Sequence, residues 1–392
     1  MLTSIALIIL MGLSLAFIFD KLKLPRLIGM ILTGIILGPY MLNVLDPTIL
    51  NISSELRQIA LVIILTRAGL ALDIKDLKKV GRPAILMCFV PAVFEILGFI
   101  ILGPKLLNLS FLDSAILGTV IAAVSPAIIV PRMIKLMDEG YGTKKSIPQL
   151  ILAGASVDDI FVIVLFTSLT SLAKSESSFS LNVLLQIPIS IILGVLIGIV
   201  IGLILIKLFK VIHTRDSNKL LIILSISFLF ITLENSLKEY IPISGLLAVM
   251  SLGATIYKSN NDLSIRLSSK YSKLWAGAEI FLFVLVGATV NINYALRLGL
   301  VSVIIIIFAL LFRILGVYLS LIKTNLNKKE RFFTSLSYLP KATVQAAIGA
   351  LPLSMGLSSG ETILTVAVVS ILVTAPLGAI LIDNTYKKLL KW

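Results

Sequence analysis

The chain has 392 residues, of which 58% are hydrophobic and only 14% are charged. An average soluble domain carries roughly 25% charged residues, so this chain has too few polar side chains to cover a surface exposed to water. The formal net charge of +14 would favour a nucleic-acid-binding protein only if the Lys and Arg residues clustered on one face of a soluble fold. The composition instead indicates a chain whose main solvent is lipid.

Apolar runs of membrane-spanning length recur along the whole chain and predict thirteen transmembrane helices. The runs show no alternation of polar and apolar residues, which excludes a transmembrane barrel. The predicted fold is therefore an all-α polytopic membrane protein. The thirteen helices are predicted at about residues 2–19, 27–44, 55–72, 83–103, 112–134, 147–172, 181–206, 219–236, 241–257, 274–290, 298–322, 332–354 and 361–382.

The basic residues are distributed unequally between the two sides of the membrane. Connections that follow odd-numbered helices contain 26 Lys and Arg residues, whereas connections that follow even-numbered helices contain 4. By the positive-inside rule, the N-terminus is predicted outside and the C-terminus in the cytoplasm. The basic surplus is then an orientation signal, and no nucleic acid is predicted as a partner.

Two glycine stripes lie within predicted helices. Gly34 and Gly38 form a GxxxG pattern in the second helix, and Gly194, Gly198 and Gly202 form a longer one in the seventh. Such stripes let helix backbones approach closely. Packing within the chain and packing between subunits are both compatible with this pattern.

Two residues of opposite charge lie near mid-depth in different predicted helices. Glu95 is in the fourth helix and Arg313 is in the eleventh. Either residue alone would be a costly unpaired charge, so we predict a buried ion pair between them. A structural support is the favoured role, ahead of direct contact with a substrate.

Prolines interrupt two of the predicted helices, at Ser125-Pro126 and at Pro340-Lys341. Proline removes a backbone donor and clashes with the preceding turn, so both helices are expected to break there. The fourth, fifth and sixth helices are predicted to cross the membrane outward, inward and outward. The eleventh, twelfth and thirteenth cross it inward, outward and inward, which indicates an inverted repeat. Breaks at matching places in two such repeats are typical of a transporter binding site, where exposed helix carbonyls favour cations.

Asp158 and Asp159 lie about 12 residues into the sixth helix, roughly 18 Å from its cytoplasmic end. A charge at that depth costs at least about 2.5 kcal/mol. Two adjacent carboxylates are tolerable only if one is protonated, binds a cation or is paired. Because neighbouring side chains on a helix point about 100° apart, one aspartate is expected to face an ion cavity and the other a different helix.

The chain resembles the monovalent cation/proton antiporters at four segments: RAGLALD at 67–73, SPAIIVP at 125–131, SVDDI at 156–160 and YLPKATVQAAIGALP at 338–352. The last segment is similar to the NHA type of sodium/proton exchanger, with its NapA/NhaP-like bacterial members. The resemblance implies a thirteen-helix NhaA/NapA-like fold with two crossed broken helices and an elevator-type motion. It also implies a homodimer in the inner (plasma) membrane.

The resemblance further assigns parts and residues within the single domain at 1–392. It implies core repeats at 83–172 and 298–382, a dimerisation part at 1–82 and 219–290, and a linking helix at 181–206. Asp159 is the expected ligand for Na⁺ or Li⁺ and the proton carrier. Support is expected from Asp158, Ser125, Lys341, Glu95 and Arg313.

The favoured hypothesis is a secondary sodium (or lithium, or potassium) for proton antiporter whose partners are those ions and the lipid bilayer. The chain lacks GxxxxGK[ST], HExxH and paired CxxC motifs, so we predict no cofactor and no enzyme. The alternatives are an ion-coupled symporter of organic anions on the same fold and a channel. An intramembrane aspartyl protease is disfavoured, because its two acids come from facing helices.

Overall fold

A computed structural model describes residues 1–71, 81–174, 181–212, 214–237 and 241–391. Within these ranges the protein consists of helices and their connections, with no strand, so the all-α prediction is confirmed. The last two residues of the RAGLALD segment lie outside the described ranges. Helices dominate because every backbone N–H and C=O group must be satisfied within its own segment when the surroundings are lipid.

Eighteen α-helices lie in the described ranges. In chain order they are α1 Leu2–Lys21, α2 Arg26–Leu37, α3 Pro47–Asn51, α4 Ser53–Leu70, α5 Arg82–Met87, α6 Val90–Leu106, α7 Phe111–Ala122, α8 Pro126–Asp138, α9 Ile147–Lys174, α10 Leu181–Val211, α11 Asp216–Leu237, α12 Gly245–Ser259, α13 Asn261–Ala288, α14 Ile292–Ser320, α15 Lys328–Ser337, α16 Thr343–Ile348, α17 Leu351–Ser354 and α18 Gly360–Leu389.

Helical segments occupy all thirteen predicted positions, although several boundaries differ. Nine helical stretches in the described part of the chain are long and apolar enough to cross a bilayer; the count of thirteen crossings stays a prediction. The largest difference is α13, which begins at Asn261 rather than near residue 274. The added turns are rich in charged and hydroxyl residues, because the bilayer limits the apolar run and not the helix itself.

Both predicted helix breaks are confirmed. Residues 123–125 are non-helical between α7 and α8, and residues 338–342 are non-helical between α15 and α16. Pro126 opens α8 as its first residue, where a missing N–H costs nothing. Pro340 lies inside the second break, where it has no helical partner to lose.

The chain divides into two compact units. The first unit comprises Met1–Ser54, Lys75–Ala173 and Ile280–Trp392, and contains both broken helices and every residue predicted for the site. In it, α6 packs against α7 and α14, while α18 packs against α14, α15 and both halves of the first broken helix. The second unit comprises Glu55–Ile74 and Lys174–Glu279, where α12 packs against α10 and α11.

Both glycine stripes pack within the chain. A Cβ atom at Gly34 of α2 would collide with the carbonyl oxygen of Val284 in α13, and a Cβ atom at Gly198 of α10 would collide with that of Ala248 in α12. Backbone contact of this kind requires glycine. Intrachain packing therefore accounts for both stripes.

Candidate functional site

Asp158 is fixed by the first break and by α14. Its side chain is fully buried near the middle of α9. Its Oδ2 accepts a hydrogen bond from the backbone N of Val124 at 3.0 Å and one from Nη2 of Arg313 at 2.7 Å. As expected for one of two neighbouring aspartates, Asp158 faces other helices.

Arg313 of α14 is fully buried and binds groups on four other elements of the first unit. Its Nη1 lies 2.7 Å from Oε2 of Glu95, which confirms the predicted ion pair. Its Nη2 binds Asp158, its Nε donates to the carbonyl oxygen of Tyr338 at 2.6 Å, and Nη1 also donates to the carbonyl oxygen of Ala122. Only a planar guanidinium carries enough donors in a fixed fork for all four acceptors. Its bond to Asp158 was not predicted.

Lys341 lies in the second break and supplies the second buried cation. Its Nζ is 2.6 Å from Oε2 of Glu95 and 3.3 Å from the carbonyl oxygen of Ala122. Its backbone N donates to Oγ1 of Thr374 at 2.9 Å. Lys341 therefore supports the site through Glu95, a pairing that sequence reasoning did not predict.

The four residues Glu95, Asp158, Arg313 and Lys341 are called the buried quartet below. Each is 0% exposed, and together they carry two negative and two positive formal charges. A buried charge is tolerated when it is paired and hydrogen-bonded. The quartet meets that condition, and loss of any one member would leave an unbalanced charge.

Asp159 has a different environment from its neighbour. It is only partly buried, and no ion pair joins it to a basic residue in the part of the chain that the structure describes. Its Oδ1 is buried without a hydrogen-bond partner among the described residues. The buried quartet is already balanced, so among the described residues neither of its two basic side chains is left over to pair with Asp159.

The carbonyl groups at the first break bind the protein's own donors. Arg313 and Lys341 both donate to the carbonyl oxygen of Ala122. Nε2 of Gln345 donates to the carbonyl oxygens of Ile121 and Ala123, at 2.9 Å each. The helix-terminal carbonyls, which were expected to favour cations, bind two cationic side chains and an amide at the negative end of α7.

Ser125 joins the two breaks through its backbone, because its N–H donates to the carbonyl oxygen of Pro340 at 2.9 Å. Its Oγ, like Oδ1 of Asp158 and Oδ1 of Asp159, is buried and has no hydrogen-bond partner within the described ranges. Oxygen atoms of this kind suit a hard cation. The described residues contain no group of three or more His, Cys, Asp and Glu side chains able to hold a metal ion.

A family model described as "Sodium/hydrogen exchanger, transmembrane" matches residues 5–387. The human sodium/hydrogen exchanger 9B2 is 35% identical over 389 residues, which cover 94% of this chain and 70% of that protein. The human sodium/hydrogen exchanger 9B1 is 32% identical over 384 residues, which cover 94% and 73%.

A solved structure has the same fold. The sodium proton antiporter MjNhaP1 from Methanocaldococcus jannaschii, determined at pH 8, superposes with a TM-score of 0.85 over 99% of this chain and 98% of that one. The two sequences are 21% identical. The likeness confirms the antiporter fold that the resemblance implied.

Proposed function

Because the chain belongs to the sodium/hydrogen exchanger family, within the monovalent cation/proton antiporters, we propose that it exchanges sodium or lithium for protons at Asp159. Membership already makes it a multi-pass membrane protein and a cation/proton antiporter. The observation that carries the choice of residue is the contrast between the two aspartates. Asp158 is bound by Arg313 and Val124, whereas Asp159 has no basic partner among the described residues.

Competition at one carboxylate would couple the two ions. A bare carboxylate at mid-depth costs at least about 2.5 kcal/mol, so Asp159 is stabilised by binding a cation or a proton. One carboxylate cannot be neutralised by both at once. In the proposed elevator-type cycle, the core moves only when Asp159 is neutralised, because carrying a bare charge through a region of low dielectric constant is costly. Ser125 is the proposed supporting ligand, through its buried hydroxyl.

The proposed setting is a homodimer in the inner (plasma) membrane, with the N-terminus outside and the C-terminus in the cytoplasm. The strong bias of basic residues toward one set of connections supports this orientation. The moving core is proposed at 83–172 and 298–382, the dimerisation part at 1–82 and 219–290, and the linking helix at 181–206.

The test is exchange in proteoliposomes that hold a pH gradient and a pH-sensitive dye. Sodium or lithium added to the wild type is expected to collapse the gradient. Asp159→Asn is expected to abolish this response, while Asp20→Asn, which changes an exposed aspartate, leaves it intact. Normal exchange by Asp159→Asn, or no response of the wild type to sodium, lithium or potassium, would contradict the proposal.

A further inference from the structure

The side chain of Gln345 joins the second broken helix to the first. Gln345 lies in α16, directly after the second break, and is buried. Its Nε2 donates to the carbonyl oxygens of Ile121 and Ala123. An amide nitrogen carries two hydrogens, so both are used. Because both acceptors are carbonyl groups, the nitrogen and not the oxygen of the amide must face them.

The peptide group between Ala123 and Val124 connects Gln345 to Asp158. Its carbonyl oxygen accepts the hydrogen bond from Gln345, and its N–H donates to Oδ2 of Asp158 at 3.0 Å. The C=O and N–H of a trans peptide are fixed in one plane and point in opposite directions. A residue that holds the carbonyl therefore also sets the direction of the N–H. Consecutive hydrogen bonds of this kind also polarise one another.

This peptide group lies in the first break, at residues 123–125, where no helix holds it. The two preceding carbonyls are those of Ile121 and Ala122, and the second of these is held by Arg313 and Lys341. Gln345 is the donor without a formal charge in this set. Its replacement by an apolar residue therefore leaves the charge balance of the site unchanged and tests geometry alone.

We propose that Gln345 is a positioning residue for ion exchange: it holds the Ala123–Val124 peptide so that the N–H group serves Asp158. Asp158 then stays in the buried quartet and Asp159 stays free to bind the transported ion. This inference rests on the proposed function at Asp159. Gln345 acts through the peptide and has no contact with the ion in this scheme.

The test compares Gln345→Met, which keeps the length of the side chain and removes both donors, with Gln149→Met. Gln149 is a matched control because its Oε1 is also buried without a partner among the described residues, but it lies in the first turn of α9, outside both breaks. Two quantities are measured: the sodium KM and maximal rate in proteoliposomes, and the rise of Tm in detergent when sodium chloride replaces choline chloride.

Gln345→Met is expected to raise the sodium KM roughly 10-fold or more, the usual effect of losing a residue that orients a ligand, and to lose the sodium-dependent rise of Tm. Gln149→Met is expected to keep both wild-type values. Gln345→Glu, which keeps the shape and points a carboxylate at two carbonyls, is expected to raise the KM further, and it serves as the second variant if the methionine variant does not fold.

A wild-type sodium KM in the folded Gln345 variants would overturn the inference. So would a lower maximal rate with unchanged KM and unchanged sodium-dependent Tm, because that result indicates a purely structural role. Failure of the wild type to exchange any cation is a separate result, and it overturns the proposed function as well.

Discussion

Asp158 and Asp159 are adjacent in sequence and differ in burial and in their ion pairing. Asp158 is completely buried and accepts two hydrogen bonds on Oδ2, whereas Asp159 is partly buried and has no basic partner in the described ranges. A helical step of about 100° between neighbouring residues is enough to give the two carboxylates different surroundings. The sequence could predict that the two aspartates have different surroundings because this rotation is a property of any helix.

The buried quartet determines which pair of charges can be removed together without leaving an unbalanced charge. Arg313 serves both Glu95 and Asp158, so removing Glu95 and Arg313 would leave Asp158 without its cation. Removing Glu95 and Lys341 keeps the charges balanced, because Arg313 and Asp158 still pair. The balanced double variant is therefore Glu95→Gln with Lys341→Met.

Each single variant, Glu95→Gln or Lys341→Met, is expected to destabilise the protein by about 3–5 kcal/mol, the usual cost of removing one partner from a buried pair. The double variant is expected to cost clearly less than the sum. The measurement is Tm in detergent at fixed pH. Asp383→Asn is the control, since its ion pair with Arg132 is partly exposed and is worth about 0–1 kcal/mol. Additive losses would contradict the balanced quartet.

For individual residues, the sequence predicts which charged side chains need a partner, but it does not predict which residue the partner is. Glu95 and Arg313 could be paired because each was a costly charge at mid-depth in a different helix. The bonds of Arg313 to Asp158 and of Lys341 to Glu95 depend on where the two breaks place their backbones, which no spacing along the chain encodes. Gln345 could have been recognised from the sequence as a candidate site residue, since it is a polar side chain in an apolar run four residues after Lys341.

At the scale of elements, the breaks were predictable from proline chemistry and the contacts around them were not. Tyr338, at the start of the second break, is buried with its ring 5.4 Å from the guanidinium carbon of Arg313. Its hydroxyl points at Gly154 of α9, where a Cβ atom would overlap it. The absence of a side chain at Gly154 thus lets the second break pack against the helix of the aspartate pair.

Gly154→Ala is expected to destabilise the protein by about 1–3 kcal/mol, because the added methyl group overpacks a rigid tyrosine. Tyr338→Phe is expected to recover part of this loss in the double variant, since it removes the colliding hydroxyl. Gly299→Ala is the control, because nothing lies within 4 Å of the added carbon, and it should be neutral or slightly stabilising. The measurement is thermal unfolding in detergent of the wild type, Gly154→Ala, the double variant and Gly299→Ala. Equal losses of stability for Gly154→Ala and Gly299→Ala would contradict the contact between Tyr338 and Gly154.

At the scale of the whole molecule, composition and loop charge predicted an all-α membrane fold, because lipid restricts the backbone to helices and the basic residues mark one side. Helix ends were less predictable, as α13 shows, since polar turns can continue a helix into water. Subunit assembly has no comparable signal: the glycine stripes that could have formed an interface pack within the chain.

The predicted orientation can be tested with single cysteines in a Cys88→Ser background, which removes the one native cysteine. Lys105 and Lys144 are both exposed and are predicted on opposite sides. On intact cells, a membrane-impermeant maleimide is expected to label Lys105→Cys and to label Lys144→Cys only after permeabilisation. The reverse pattern would invert the orientation, and labelling of both on intact cells would contradict the number of spans between them.

The balance of the buried quartet has an electrical consequence under the proposed mechanism. Its four formal charges cancel, and the charge of Asp159 is neutralised by either one bound sodium ion or one bound proton. The moving core therefore carries no net charge at the site, whether it transports sodium one way or a proton the other way. A cycle that moved one net charge would gain or lose about 2.3 kcal/mol per 100 mV of membrane potential.

We therefore expect the exchange rate to stay unchanged when a potential of about 100 mV is imposed on the proteoliposomes with potassium and valinomycin. A rate that follows the imposed voltage would show that another group carries charge with Asp159. An exchanger insensitive to voltage runs in whichever direction the sodium and proton gradients together favour, so the same protein can expel sodium from a cell or restore its cytoplasmic pH.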